Sequence, residues 1–177
     1  METNQPSIKT IALNYGVLLA LLSIALQVIA FVMDAHIDRP IWLTVLQLVI
    51  SVGIVVLGLK AYRTANAGFL TLGQALKTGV AISLIAGIIG VIFNYFFMNY
   101  IDPDYVQKTL EFTHDQMVQS NPNMSQKEID MAMDMSAKFM SPLWMSAFAL
   151  ISVLFFGFII SLIAGLIMKR NPPHQFE

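Results

Sequence analysis

LKTGVAISLIAGIIGVIFNYFFMNY, residues 76–100, decides the fold. Beyond Lys77 it carries no charge, and Asn94 is the polar residue set inside the run. A helix rises about 1.5 Å per residue, so about 20 apolar residues cross a hydrocarbon core roughly 30 Å thick. Lipid offers the backbone no hydrogen-bond partner, so each segment must satisfy its own N–H and C=O groups, and a run of this length reads as a transmembrane helix. Three more blocks follow the same pattern: residues 11–33, interrupted by Asn14 and Gln27; residues 41–59, with Gln47; and residues 143–168. The expected fold is all-α, a four-helix integral membrane bundle forming one domain over residues 1–177, with an amphipathic helical hairpin over residues 101–142.

The composition agrees. Of 177 residues, 56% are hydrophobic and only 12% charged, against about 25% charged in a soluble domain. A net charge of -1 gives no reason to expect a nucleic-acid partner. The absence of cysteine removes disulfides, thiolate nucleophiles and zinc–thiolate sites. The first apolar block exceeds the roughly 7–15 residues of a signal-peptide core. Only Lys9 precedes it as a basic lead-in, and no small-x-small cleavage site follows, so it reads as a retained anchor.

Basic residues in the loops set the expected orientation. Lys9, Lys60, Arg63, Lys77, Lys169 and Arg170 fall on one side, and Arg39, Lys108, Lys127 and Lys138 on the other. Nine of the eleven acids share the second side. Both termini are therefore expected in the cytoplasm.

The loop before the third span, GFLTLGQALKTG at residues 68–79, has its own logic. Asn66-Ala67-Gly68 reads as a turn, because Asn and Gly tolerate positive φ. Thr71 followed three residues later by Gln74 is the pattern of a capping box, in which each side chain satisfies the other's backbone N–H at the helix start. Lys77 can extend its ammonium to the headgroups. An anion-binding reading of Gly68 and Gly73 is weaker, since their spacing matches neither a P-loop nor a dinucleotide fingerprint.

Here the chain resembles a known family. Tyr62-Arg63, Gly68, Thr71, Gly73-Gln74-Ala75, Lys77 and Gly79, with the later NYIDPDY at residues 99–105, resemble the DUF4199 family of small four-helix membrane proteins, found mainly in Bacteroidetes. The resemblance runs from the first span to the fourth. It implies this architecture and a bacterial inner membrane; the family has no known function, so it implies no activity.

Small residues let helices approach closely in lipid. Gly79, Ser83, Gly87 and Gly90 form a stripe on the third span, and Gly157, Ser161 and Gly165 form one on the fourth. These faces are expected to meet, or alternatively to form a dimer interface. Asn14, Gln27, Gln47 and Asn94 are expected to hydrogen-bond between helices, each contributing on the order of 1 kcal/mol, with a polar path as the rival use. No Asp, Glu, Lys, Arg or His lies in the core of a span, which argues against an ion-coupled transporter.

In the hairpin, Asp102-Pro103 reads as N-cap and first helical residue. Ser125 and Glu128 read as a second capping box. Seven methionines fall between residues 117 and 145. Thioethers can bind Cu(I), but Met131 and Met135 share a face that Met133 does not, and flexible apolar filler is the better reading. DAHID at residues 34–38 reads as a solvated turn rather than a cation site. His114-Asp115 and His174 lack the partners of a hydrolase.

No catalytic, cofactor-binding or metal-ligating set emerges. The leading expectation is a non-enzymatic envelope protein acting by interaction, as an accessory subunit or homo-oligomer in the lipid bilayer. The alternative is a small oligomeric transporter or channel, with polar residues lining a path. A membrane enzyme stands third, since it requires His36, His114 and several acids to converge.

Overall fold

A computed structural model describes residues 6–171 of the chain; His174 lies outside them. Helices α1 (Ile8–Val32), α2 (Ile41–Ala65), α3 (Leu72–Phe96) and α6 (Pro142–Met168) are each long and apolar enough to cross a membrane. Between α3 and α6 come a π-helical turn (Phe97–Ile101) and the hairpin helices α4 (Tyr105–Ser120) and α5 (Gln126–Phe139). The spans alternate in direction, so the start of α1 and the end of α6 lie at one end of the bundle and the hairpin at the other.

The helices start where local chemistry supplies a cap. The Ser7 hydroxyl accepts from Thr10 N–H at 3.3 Å. Thr71 and Gln74 make the reciprocal pair: Thr71 N–H donates to Gln74 Oε1 at 2.9 Å, and Gln74 N–H to Thr71 Oγ1 at 3.3 Å. Pro142 opens α6 at a position where its missing N–H leaves nothing unpaired. Helix α2 continues past the apolar run at residues 41–59 to Ala65, because Lys60 and Arg63 can extend their charged heads toward the interface without interrupting the backbone ladder. The following turn has Ala67 at φ 51° and Gly68 at φ 85°. Asn66 keeps a negative φ and donates its amide to Phe69 O at 2.9 Å.

Helix α3 packs on the other three spans. Against α1 the contact closes at Gly16, where a Cβ would stand 2.7 Å from Ile85 Cβ. Against α6 the two small-residue stripes meet. Ser161 sits over Gly79, Ser83 sits over Gly157, and a Cβ on Gly165 would stand 2.8 Å from Ala75 Cβ. A core of Leu59, Tyr62, Leu70, Ala75, Ile82 and Ala164 fills the bundle at the terminal end. That end is tied by paired backbone bonds between Leu70 and Arg170, each 2.9 Å, with the Arg170 guanidinium 5.9 Å from the Phe69 ring centre. Leu26, Ala30 and Leu43 form a smaller cluster toward the hairpin end. The outward faces carry exposed Leu21, Val49, Ile151 and Ile167. Such a surface suits lipid, in which apolar side chains have no drive to bury and close packing must hold the helices together.

The hairpin starts later than Asp102-Pro103 suggested. Helix α4 begins at Tyr105, and Asp102 is 3% exposed instead of capping a helix in solvent. The π turn is the cause: Asp102 N–H bonds to Phe97 O, five residues back, at 2.9 Å. The extra residue in this turn changes where the side chains point. On α5, Met131, Met135 and Phe139 are exposed at intervals of four, and Phe139 meets Trp144 and Phe148 of α6 edge-on.

Candidate functional site

From the α3–α6 contact upward, in the hairpin half of the bundle, the helices leave a half-open cavity of about 570 Å³. Small residues create it. Ser23, Ala86, Gly87, Gly90, Ala149 and Ser152 all face it, and none reaches far enough to fill the space between helices. Gly90 shows this best. A Cβ placed there would meet no atom within 4 Å, so Gly90 does not belong to the packing stripe proposed from spacing. Gly87 does lie at the contact, with a Cβ position 2.9 Å from Leu150 Cδ1.

The walls are apolar, among them Leu19, Leu48, Val91 and Phe156, with a polar strip down one side. Gln47 anchors that strip. Its amide N–H groups donate to Ser23 Oγ at 2.9 Å and to Ser51 Oγ at 3.3 Å, while the Ser51 hydroxyl donates to Gln47 O at 2.9 Å. Gln47 thus does hold α1 to α2. Gln27 and Asn94 also line the cavity, nearer the hairpin end. Among the described residues Gln27 makes no side-chain hydrogen bond, and the Asn94 amide has only a long 3.9 Å contact with Met98 Sδ. Both were expected to bond between helices, but each keeps its polar atoms available to the cavity. Asn14, grouped with them from sequence, is exposed on the outer face of α1 and does not line the cavity.

Arg39, just before α2, lines the cavity at its hairpin end. Its Nε is buried without a hydrogen-bond partner, and among the described residues it forms no salt bridge. The charge deficit in the spans hid this cation from sequence reasoning, because Arg39 lies in a loop and reaches the interior through its long side chain. At the other end, Val55, Ser83 and Ile160 form the floor. Below them the terminal-end core closes the bundle.

A second cluster joins the α1–α2 loop to the start of the hairpin. His36 is 8% exposed, not a residue of a solvated turn. Its Nε2 lies 2.9 Å from Asp102 Oδ2, and Lys108 Nζ donates to Asp102 Oδ1 at 2.6 Å. Burial pulls the Asp102 carboxyl upward, but Lys108 and His36 outweigh it and hold it below the ordinary carboxylate range. A carboxylate only accepts hydrogen bonds, so His36 Nε2 carries the shared proton. The Asp102 hydrogen bond raises Lys108 in turn. Phe31, Phe97 and Tyr105 surround the imidazole, with ring centres 5.0, 6.3 and 6.2 Å away. His36 and Asp102 therefore do converge, while His114 stays with Asp115 on the exposed face of α4 at 3.4 Å. The cluster fastens the hairpin; it offers no nucleophile.

Ser125 and Glu128 lie at the start of α5, where the Glu128 carboxylate accepts from both the Ser125 N–H and its hydroxyl at 2.8 Å. Those two bonds hold the Glu128 carboxyl below its usual range. Among the described residues, no three His, Cys, Asp or Glu side chains gather as a metal site.

The chain matches the family described as protein of unknown function (DUF4199) over residues 14–170, and it belongs to that family. No curated protein and no solved structure matches it.

Proposed function

We propose that this DUF4199 member is a non-enzymatic, multi-pass membrane protein that holds a small ligand in the hairpin half of its bundle. The carrying observation is the placement of Gln27 and Asn94 in the cavity wall, with polar atoms that no neighbouring helix takes up. Amides that no helix of the chain engages are free to bond a ligand seated between the helices. The filled core below Val55 and Ser83 favours a one-sided binding chamber over an open channel. A volume of this size falls within the roughly 300–1,000 Å³ of small-molecule sites, which pair apolar walls with a few placed polar groups. The basic loops support termini in the cytoplasm of a bacterial inner membrane, so the chamber would open on the outer side.

The absence of cysteine makes the test clean. Single variants Gln27→Cys, Asn94→Cys, Leu59→Cys and Asp115→Cys are exposed to a membrane-impermeant maleimide in right-side-out and in inverted membrane vesicles. Labelling of the first two from the same side as Asp115→Cys, with Leu59→Cys protected, is the expected result. No labelling of either amide position from either side would return the protein to the accessory-subunit reading. Labelling from both sides would make it a channel.

A further inference from the structure

We propose that the cavity binds an acidic single-chain amphiphile, with its head at Arg39 and its hydrocarbon chain running down toward Val55. This rests on the ligand-holding reading above and names the ligand's chemistry.

Three observations converge on that class. The first is charge. Arg39 is a cation with a buried, unpartnered Nε, and no carboxylate of the described chain neutralises it. A guanidinium presents a planar fork of donors suited to a carboxylate or phosphate. An acidic head would satisfy both the charge and the orphaned N–H.

The second is depth. Cavity-lining residues on α2 run from Thr44 to Val55. Eleven helical steps span about 16 Å, close to half of a hydrocarbon core roughly 30 Å thick. The cavity therefore reaches about as deep as one leaflet's acyl chain. Arg39 sits just before the start of α2 (Ile41–Ala65), at the end of a span, where a long basic side chain can reach the headgroup region.

The third is polarity along that depth. The floor, around Val55 and Ile160, is mainly apolar and suits a methyl terminus. The mid-depth Gln47 is already bonded to Ser23 and Ser51, so a chain can pass without stranding it. The unengaged Gln27 and Asn94 lie near the Arg39 end, where an amphiphile carries its linkage oxygens.

The test uses full-length protein, delipidated in detergent and examined by native mass spectrometry. The probes are hexadecanoate, hexadecyl phosphate, hexadecanol and inorganic phosphate. Saturable binding of one hexadecanoate or hexadecyl phosphate per chain is expected, with no comparable binding of the alcohol or of phosphate alone. A preference between the two acids identifies the head. Arg39→Gln should weaken binding about tenfold or more, as loss of a charge-assisted bond does. Arg39→Lys should retain part of the affinity, since it keeps the charge and loses the fork. Gly90→Leu should weaken binding about tenfold or more by intruding into the cavity while leaving the melting temperature near wild type, because a Cβ there meets no atom within 4 Å. Equal binding of the alcohol, tight binding of inorganic phosphate alone, or acid adducts that survive both Arg39→Gln and Gly90→Leu would overturn the proposal. If Gln27→Cys and Asn94→Cys label while neither acid binds, the chamber stands and this ligand class falls. If neither labels and neither acid binds, both are lost.

Discussion

Ser161 on α6 occupies the space that any side chain on Gly79 of α3 would need. Ser83 stands against Gly157 in the same way one turn along, so each helix supplies a glycine hollow and a serine knob to the other. The Ser161 hydroxyl turns back to donate to Gly157 O, which keeps it bonded inside the contact. Gly79→Ala therefore forces the helices apart and is expected to cost about 1–3 kcal/mol, the range for overpacking. Adding Ser161→Gly should recover much of that loss. Detergent melts of the single and double variants check this; additive losses would contradict the knob-and-hollow contact.

Gly165→Leu should likewise destabilise, because its Cβ direction ends on Ala75. Gly90→Ala, drawn from the same sequence pattern, should change the melting temperature little. Equal losses at Gly90 and Gly165 would mean that α3 and α6 stay in contact along their whole length and leave no cavity.

The contrast shows what was legible in the sequence. Hydropathy located the spans, because the solvent that selects them is uniform. The Thr71–Gln74 cap was legible because its partners lie three residues apart and its geometry is local. A glycine stripe says which face is thin, but not where two helices diverge, so its spacing alone does not separate Gly90, which lines the cavity, from Gly87 at the contact. Asn14 was grouped with Gln27 because hydropathy carries no information about which face of α1 meets lipid. His36 and Asp102 are 66 positions apart in separate polar loops. No periodicity links them, and the π turn displaced the cap assigned to Asp102.

Asp102→Asn should loosen the hairpin. It removes the charge that Lys108 and His36 both address, and bonds to a charged partner contribute about 1.5–3 kcal/mol. Lys108 is half exposed, so Lys108→Ala should matter less than the loss at Asp102. Hydrogen exchange at the start of α4 reads both. Equal protection in Asp102→Asn and wild type would remove the cluster's fastening role.

The pH dependence follows from the same carboxyl. Its folded pKa is lowered, so its stabilisation is complete above the unfolded value of about 3.9 and is lost as pH falls through the folded value below that. Between pH 7 and 5 this group should contribute no change. In strong acid the wild type should lose hairpin protection faster than Asp102→Asn, which has no carboxylate to protonate. Parallel acid titrations of the two would speak against the assignment.

Ala67 holds a left-handed conformation at φ 51° in the α2–α3 turn, which disfavours a residue with a Cβ. Ala67→Gly relieves the clash but adds freedom to the unfolded chain, leaving a net gain of about 0.5–1 kcal/mol. A rise in melting temperature is expected; a fall would mean that the turn adopts another geometry.

A chamber in the hairpin half of the bundle should hold its ligand in the membrane-embedded protein. An experimental structure of the wild-type protein in a lipid nanodisc tests it most directly. Elongated non-protein density running from the Arg39 guanidinium toward Val55, with Gln27 and Asn94 facing it, is the expected result. Side chains of α2 and α6 meeting across that space, with Gln27 and Asn94 bonded to neighbouring helices, would contradict it.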